Sequence, residues 1–264
     1  LIDVALAFVF GGKIMAKRKK TIIAGNHIEV CIYTMQYPRD TTRARAAKSK
    51  MSSAARKAMN YKASRKKCRL KVLTNFSNSD IFLTLTYDDI HLPANRRDAN
   101  NNIKYFIRKL RSVRKKHGEE LKYVYVTENE HSGRLHHHMI INSTGKKELD
   151  IDLFNSLWIF GDEINIEFLG KFGIAHYCDY ITKERDTDKK VGARMWTPSR
   201  NLIQPTEINE IVPDNETAKC PPNAVIIERD EKQNEFGEYI YIAYELLPDD
   251  NRPIRPTWRK RKSE

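Results

Sequence analysis

The spacing of apolar and polar positions changes several times along the chain, and each change marks an element. In "SDIFLTLTYDD", Ile81, Leu83, Leu85 and Tyr87 alternate with Phe82, Thr84 and Thr86, the period of a half-buried strand. "LKYVYVTE" and "RLHHHMIIN" predict two more strands, joined by the loop "NEHSG". "EINIEFL" predicts a fourth strand and "EYIYIAYEL" a late one. The period lengthens in "NIKYFIRKLRSVRKKHG". There Ile103, Phe106, Ile107, Leu110 and Val113 form one helical stripe, and Gly118 supplies a stop. "DIDLFNSLW" predicts a short helix begun by Asp150 or Asp152, and "KFGIAHYCDYITKERD" one that starts after Gly173. "DIHLPANRRDANNN" reads as a loop, and 186–223 is polar with weak periodicity. Strands and helices in this order predict an α+β fold, with a central antiparallel sheet of about five strands and flanking helices.

Charge adds a second division. The chain has 264 residues and a formal net charge of +13. From Met15 to Lys71 there are 17 Lys and Arg against Glu29 and Asp40, so this block alone carries +15 and the remainder is near neutral. A second basic cluster, "RPIRPTWRKRKSE", closes the sequence. The segment 40–70 is rich in Ala, Lys and Arg without Gly or Pro, which predicts a helix or helix pair. The boundaries expected are 1–14 as an upstream extension of the reading frame, 15–74 as a basic helical arm, 75–190 as the core, and 191–264 as a C-terminal extension with one late core strand and a basic tail. Such a balance favours a polyanionic partner. The apolar opening "LIDVALAFVF" is far shorter than the ~20 residues of a membrane span, so no membrane partner is expected. Cys31, Cys68, Cys178 and Cys220 lie far apart without a CxxC pair, which favours reduced thiols and a cytoplasmic setting.

Three consecutive histidines in a strand carry the candidate chemistry. Pleating puts His136 and His138 on one face, while His137 joins Leu135, Met139 and Ile141 on the other. A hairpin around "NEHSG" would set Glu128 opposite His136 and Val126 opposite His138. Opposed side chains on one face sit ~5 Å apart at Cβ. One carboxylate and two imidazoles would then converge. That set accommodates Mn²⁺ or Mg²⁺, and zinc also fits. A polar edge strand with hydrogen-bonded histidines is the plainer alternative.

"HYCDYITKE" adds a candidate nucleophile. Tyr180 and Lys183 are one helical turn apart, with His176 four residues before Tyr180. A tyrosine hydroxyl, with pKa ~10, is a weak nucleophile at neutral pH. A metal that polarises the phosphodiester under attack, with a nearby cation, makes it useful. A tyrosine that packs on the sheet with its hydroxyl at the rim is the alternative.

"FLTLTY" (82–87), "HHH" (136–138) and "YITK" (180–183), in this order, resemble the three motifs of HUH endonucleases. The chain is most similar to rolling-circle replication initiators of small single-stranded DNA phages, of the microvirus and filamentous-phage kind, and of related plasmids. The likeness covers roughly 75–190. His137 departs from it, standing where a hydrophobic or aromatic residue is usual. The resemblance implies an HUH core, itself ferredoxin- or RRM-like, with His136, His138 and Glu128 as metal ligands. Tyr180 would form a 5′-phosphotyrosine link to single-stranded origin DNA, leaving a 3′-OH that primes synthesis, and the strand would later be rejoined. Some phage initiators alternate two tyrosines, and Tyr177 is the nearby candidate for the second. "GRLHHH" resembles the phage form, which adds Arg134 to the expected DNA contacts. No GxxxxGK[ST] phosphate loop is present, so no small-molecule cofactor is expected and a host helicase and polymerase, in a bacterial cytoplasm, are implied.

Arg56, Lys57, Tyr61, Lys62, Arg65, Lys66 and Lys67 suit a single strand of DNA, where charge and aromatic stacking act together. Three other readings remain open: a single-tyrosine HUH transposase, a non-catalytic DNA-binding protein, and a zinc-dependent hydrolase that forms no covalent adduct.

Overall fold

The computed structural model describes residues 17–35, 54–129, 134–183, 194–234 and 237–247. Its elements begin with β1 (Lys17–Ala24), β2 (His27–Thr34), α1 (Ala54–Asn75), β3 (Ile81–Leu85), α2 (Arg96–Lys116), β4 (Tyr123–Asn129) and β5 (Leu135–Ile141). They continue with α3 (Lys147–Leu157), β6 (Ile164–Phe168), α4 (Ile174–Ile181), β7 (Thr197–Pro198), β8 (Thr206–Val212), β9 (Ala224–Asn234) and β10 (Gly237–Leu246). A 3-10 turn, Leu169–Lys171, precedes α4. The expectations for 1–14, for 40–53 and for the basic tail lie outside the described residues. The chain divides into two units, one of Leu1–Asp40 with Glu207–Glu264, the other Thr41–Thr206.

The second unit is the α+β core. Its sheet runs β6-β3-β5-β4-β7, with every pairing antiparallel. The alternation in β3 and β5 supplies two apolar faces. Ile81, Leu83, Leu85, Met139 and Ile141 join Ile103, Phe106, Ile107 and Leu110 of α2 and Phe154 of α3 on one side. Phe82, Val124, Val126 and Ile140 join Cys68 and Val72 of α1 and Tyr177, Cys178 and Ile181 of α4 on the other. Arg114 of α2 and Asp150 of α3 form an ion pair at 3.1 Å with both side chains 1% exposed, and Arg114 also donates to the Asn142 carbonyl at 2.7 Å. Burial pulls the Arg114 pKa down, and Asp150 opposes that shift.

Several boundaries differ from the sequence expectation. α2 takes in much of the expected loop because the Asn95 side chain accepts from the Arg97 and Asp98 N–H groups and caps the helix there. α3 starts at Lys147, ahead of the expected Asp150, whose carboxylate instead accepts from Ser143 and Thr144. Part of the stretch expected as loop packs along the core sheet. β7 pairs with β4, Tyr123 and Ser199 exchange two hydrogen bonds, and Asn75 does the same with Ile203.

The first unit holds a second antiparallel sheet, β8-β1-β2-β10-β9, where a helical arm and a single core strand were expected. The reason is local. "TIIAGNHIEVCIYT" alternates on both sides of Gly25-Asn26, and Gly25 takes φ 62°, so the segment closes as a tight hairpin. Lys17, Lys19 and Lys20 pair with Glu238, Glu216 and Glu207, which neutralises basic charge within the sheet. The late strand β10 therefore lies between β2 and β9, with Ile240 and Ile242 packed on Ile28, Val30 and Ile32. No described helix is long and apolar enough to cross a membrane.

Candidate metal centre

The β4–β5 hairpin has the expected register. Glu128 faces His136, Val126 faces His138, and Thr127 faces His137. β5 is central, so Thr84 of β3 flanks His138 from the other side. The pleat thus brings Glu128, His136 and His138 to the face covered by α1 and α4. One ligand atom from each lies within 4.8 Å of the others. The two Nε2 atoms are 3.0 Å apart, and His138 Nε2 is 3.9 Å from a Glu128 carboxylate oxygen. Glu128 and His138 are buried.

The outer hydrogen bonds orient the rings. His136 Nδ1 is 3.3 Å from the Arg134 carbonyl, an atom that only accepts, so Nδ1 carries the proton and Nε2 presents its lone pair. His138 Nδ1 is 3.0 Å from the Thr84 hydroxyl, and the Phe82 ring stacks on the imidazole with centroids 5.5 Å apart. With Nδ1 protonated in both rings, two Nε2 lone pairs and a carboxylate point at one small volume. A divalent cation answers that concentration of donors, so the residues fit a metal. Thr84 and Phe82 were not singled out as site residues. Their alternation in β3 beside the histidine strand was the available signal.

His137 is the odd member. It lies on the opposite face and is fully buried. The Thr127 hydroxyl donates to Asn100, so it accepts the Nδ1 proton of His137 at 2.9 Å, and Nε2 lies 2.7 Å from the Tyr87 hydroxyl. Burial is the main reason its pKa falls to about 3, with His136, His138 and Arg96 adding to the shift. It is a satisfied core histidine in a place where the family resemblance leads one to expect an apolar side chain.

Tyr180 stands over the centre. Its ring meets His138 edge-on at 4.9 Å between centroids and Phe82 at 5.7 Å. Lys183 was expected on the helix with it. α4 instead ends at Ile181, Thr182 caps it, and Lys183 is exposed just beyond, its N–H bonded to the Tyr180 carbonyl at 3.3 Å. Thr182 uses its own hydroxyl to bond the Cys178 carbonyl, which tightens the end of the helix one residue before Lys183. Tyr177 is buried. Its hydroxyl donates to Glu167 at 3.1 Å, and burial, with help from that carboxylate, pushes its pKa up to about 12. His176 is exposed, beside Phe172.

The expected DNA contacts fall into two groups. Arg56, Lys57, Lys62, Lys66 and Lys67 project from α1 with high exposure, and α1 carries no acidic residue. Tyr61 and Arg65 turn inward. The Tyr61 hydroxyl donates to the Thr182 carbonyl at 2.8 Å, and Arg65 reaches Asp179 at 2.8 Å. Arg134 bonds Asp89 at 2.6 Å and the Tyr87 carbonyl at 2.9 Å.

Residues 80–185 match a family model of replication-associated proteins of the ORF2 type. This core is a replication-associated domain. The match runs from just before β3 to just past Lys183, so it takes in the three ligands and Tyr180. It supports a replication-initiator role for the chain. No curated protein and no solved structure matches the chain.

Proposed function

We propose that this replication-associated domain nicks and rejoins single-stranded origin DNA to drive rolling-circle replication. The observation that carries this reading is the Tyr180 ring packed against His138, itself one of three converging ligands. Glu128, His136 and His138 would hold a divalent ion, Mn²⁺ or Mg²⁺ by the carboxylate in the set. Bound there, the ion supplies Lewis-acid polarisation of the scissile phosphodiester. The Tyr180 hydroxyl oxygen attacks phosphorus and its proton passes to solvent water. The bond from phosphorus to the 3′ oxygen breaks, and that oxygen takes a proton to become a free 3′-OH. The 5′ phosphate stays on Tyr180 until a 3′-OH attacks it and releases the tyrosine. Lys183 sits two residues beyond the end of the helix, within reach of the charge that develops on the phosphate. Tyr177 serves as packing, since its hydroxyl is engaged by Glu167.

Arg56, Lys57, Lys62, Lys66 and Lys67 would bind the strand through its phosphates, so affinity falls steeply with salt. Host helicase and polymerase would complete replication in a bacterial cytoplasm. The test is a denaturing gel with labelled single-stranded DNA from the parent replicon's origin, run with Mn²⁺, with EDTA, and with Tyr180→Phe. A slow-migrating protein–DNA adduct that needs metal and disappears with Tyr180→Phe is expected. Metal-dependent cleavage without an adduct favours the hydrolase. Binding with neither, on DNA that contains the origin, favours a non-catalytic DNA-binding protein.

A further inference from the structure

We infer that Tyr61 and Arg65 of α1 are positioning residues for Tyr180, and not part of the DNA-contacting surface that their composition suggests. The inference rests on Tyr180 as the nucleophile.

α4 has only eight residues, about two turns. A helix that short has little stability of its own, so its setting depends on what holds it from outside. From the sheet side, Tyr177, Cys178 and Ile181 anchor it in the apolar cluster with Phe82. Those contacts fix its height above the sheet. They leave rotation about the helix axis less restrained, and rotation is the motion that swings Tyr180 towards or away from His138.

α1 supplies polar bonds on both flanks of the nucleophile. Arg65 Nη2 bonds Asp179 Oδ1, one residue before Tyr180, at 2.8 Å. The Tyr61 hydroxyl bonds the Thr182 carbonyl, two residues after it, at 2.8 Å. Tyr61 and Arg65 are one turn apart on α1, and the guanidinium carbon lies 5.8 Å from the centre of the tyrosine ring. The same side of α1 is held in turn. Trp196 Nε1 lies 3.2 Å from both the carbonyl and the hydroxyl of Ser64. Cys68 and Val72 bury the next turns of α1 in the cluster that holds α4. Two bonds that straddle one residue resist rotation in both senses. Their role is orientational, and misplacement of a reacting atom by about 1 Å can cost on the order of a hundredfold in rate.

The prediction separates the saturated rate from affinity. Tyr61→Phe removes one oxygen, and Arg65→Ala removes the ion pair. Each is expected to lower the single-turnover rate of adduct formation about tenfold at saturating origin DNA with Mn²⁺. Affinity for the same strand, measured in a Tyr180→Phe background, should stay within about twofold, with the same salt slope. The charge swap, Arg65→Asp with Asp179→Arg, should recover most of the rate. A phosphate contact could not be recovered that way, since the new aspartate repels the backbone. Weakened, less salt-dependent binding with an unchanged saturated rate would overturn the inference and return both residues to the DNA surface. Failure of both the swap and Arg65→Lys to recover rate, in variants that melt like the parent, would overturn it as well. If the unaltered chain forms no adduct at all, the underlying reading of Tyr180 fails first and takes this inference with it.

Discussion

His136, His137 and His138 are consecutive residues of one strand, yet they belong to two environments. His136 and His138 aim their Nε2 atoms at a carboxylate under α4, whereas His137 has both nitrogens bonded inside the core under α2 and α3. A strand alternates its faces, so residue type alone assigns none of the three a job. The partners across the sheet do. Glu128 and Thr84 turn two histidines outward to a shared point, and Tyr87 and Thr127 absorb the third. A polar group can be buried at little cost when it is fully bonded, whereas convergent lone pairs are costly unless something sits between them.

Substitutions can break this contrast, beginning with the largest effect. His138→Ala removes a ligand and the surface on which Tyr180 packs. Adduct formation should fall on the order of a thousandfold, and Mn²⁺ binding by calorimetry should be lost, while the fold remains. Arg114→Ala strips the buried partner from Asp150 on the opposite face. Urea denaturation should show a loss of about 3–5 kcal/mol, with Mn²⁺ affinity unchanged in the folded fraction. His137→Ala empties a filled site and strands the Tyr87 and Thr127 hydroxyls. It should cost about 2–4 kcal/mol of stability with little change in metal affinity, the inverse of the His138→Ala pattern. Thr84→Val keeps the shape of β3 but releases His138 Nδ1. Metal affinity should weaken about tenfold, with stability changed by about 1 kcal/mol or less. If His137→Ala weakened Mn²⁺ binding as strongly as His138→Ala, the division between the two faces would be wrong.

The parts of this site set by strand period could be read from the sequence. Glu128 opposite His136 follows from alternation and a hairpin centred on "NEHSG", and the helical stripe Ile103, Phe106, Ile107 and Leu110 follows from its spacing. Other parts depend on contacts distant in sequence. Nothing near Tyr61 indicates a bond to Thr182, and composition alone made Tyr61 and Arg65 look like DNA ligands. Lys183 was misplaced because no glycine or proline marks the end of α4. The second sheet had a local signal, the Gly25-Asn26 turn between two alternating runs, but the lysines of β1 drew attention to charge instead.

The central position of β5 has a consequence for how such a domain can diversify. β5 is paired on one side with β4 and on the other with β3, so two independent ladders hold the histidines in register. The length of the segment between β4 and β5 therefore does not have to set that register, as it would in an isolated hairpin. Residues can be added to or removed from the connection while Glu128, His136 and His138 stay together. The chain can thus acquire a new recognition element beside its reactive centre by exchanging a short insert, and an engineer could do the same by grafting at 130–133.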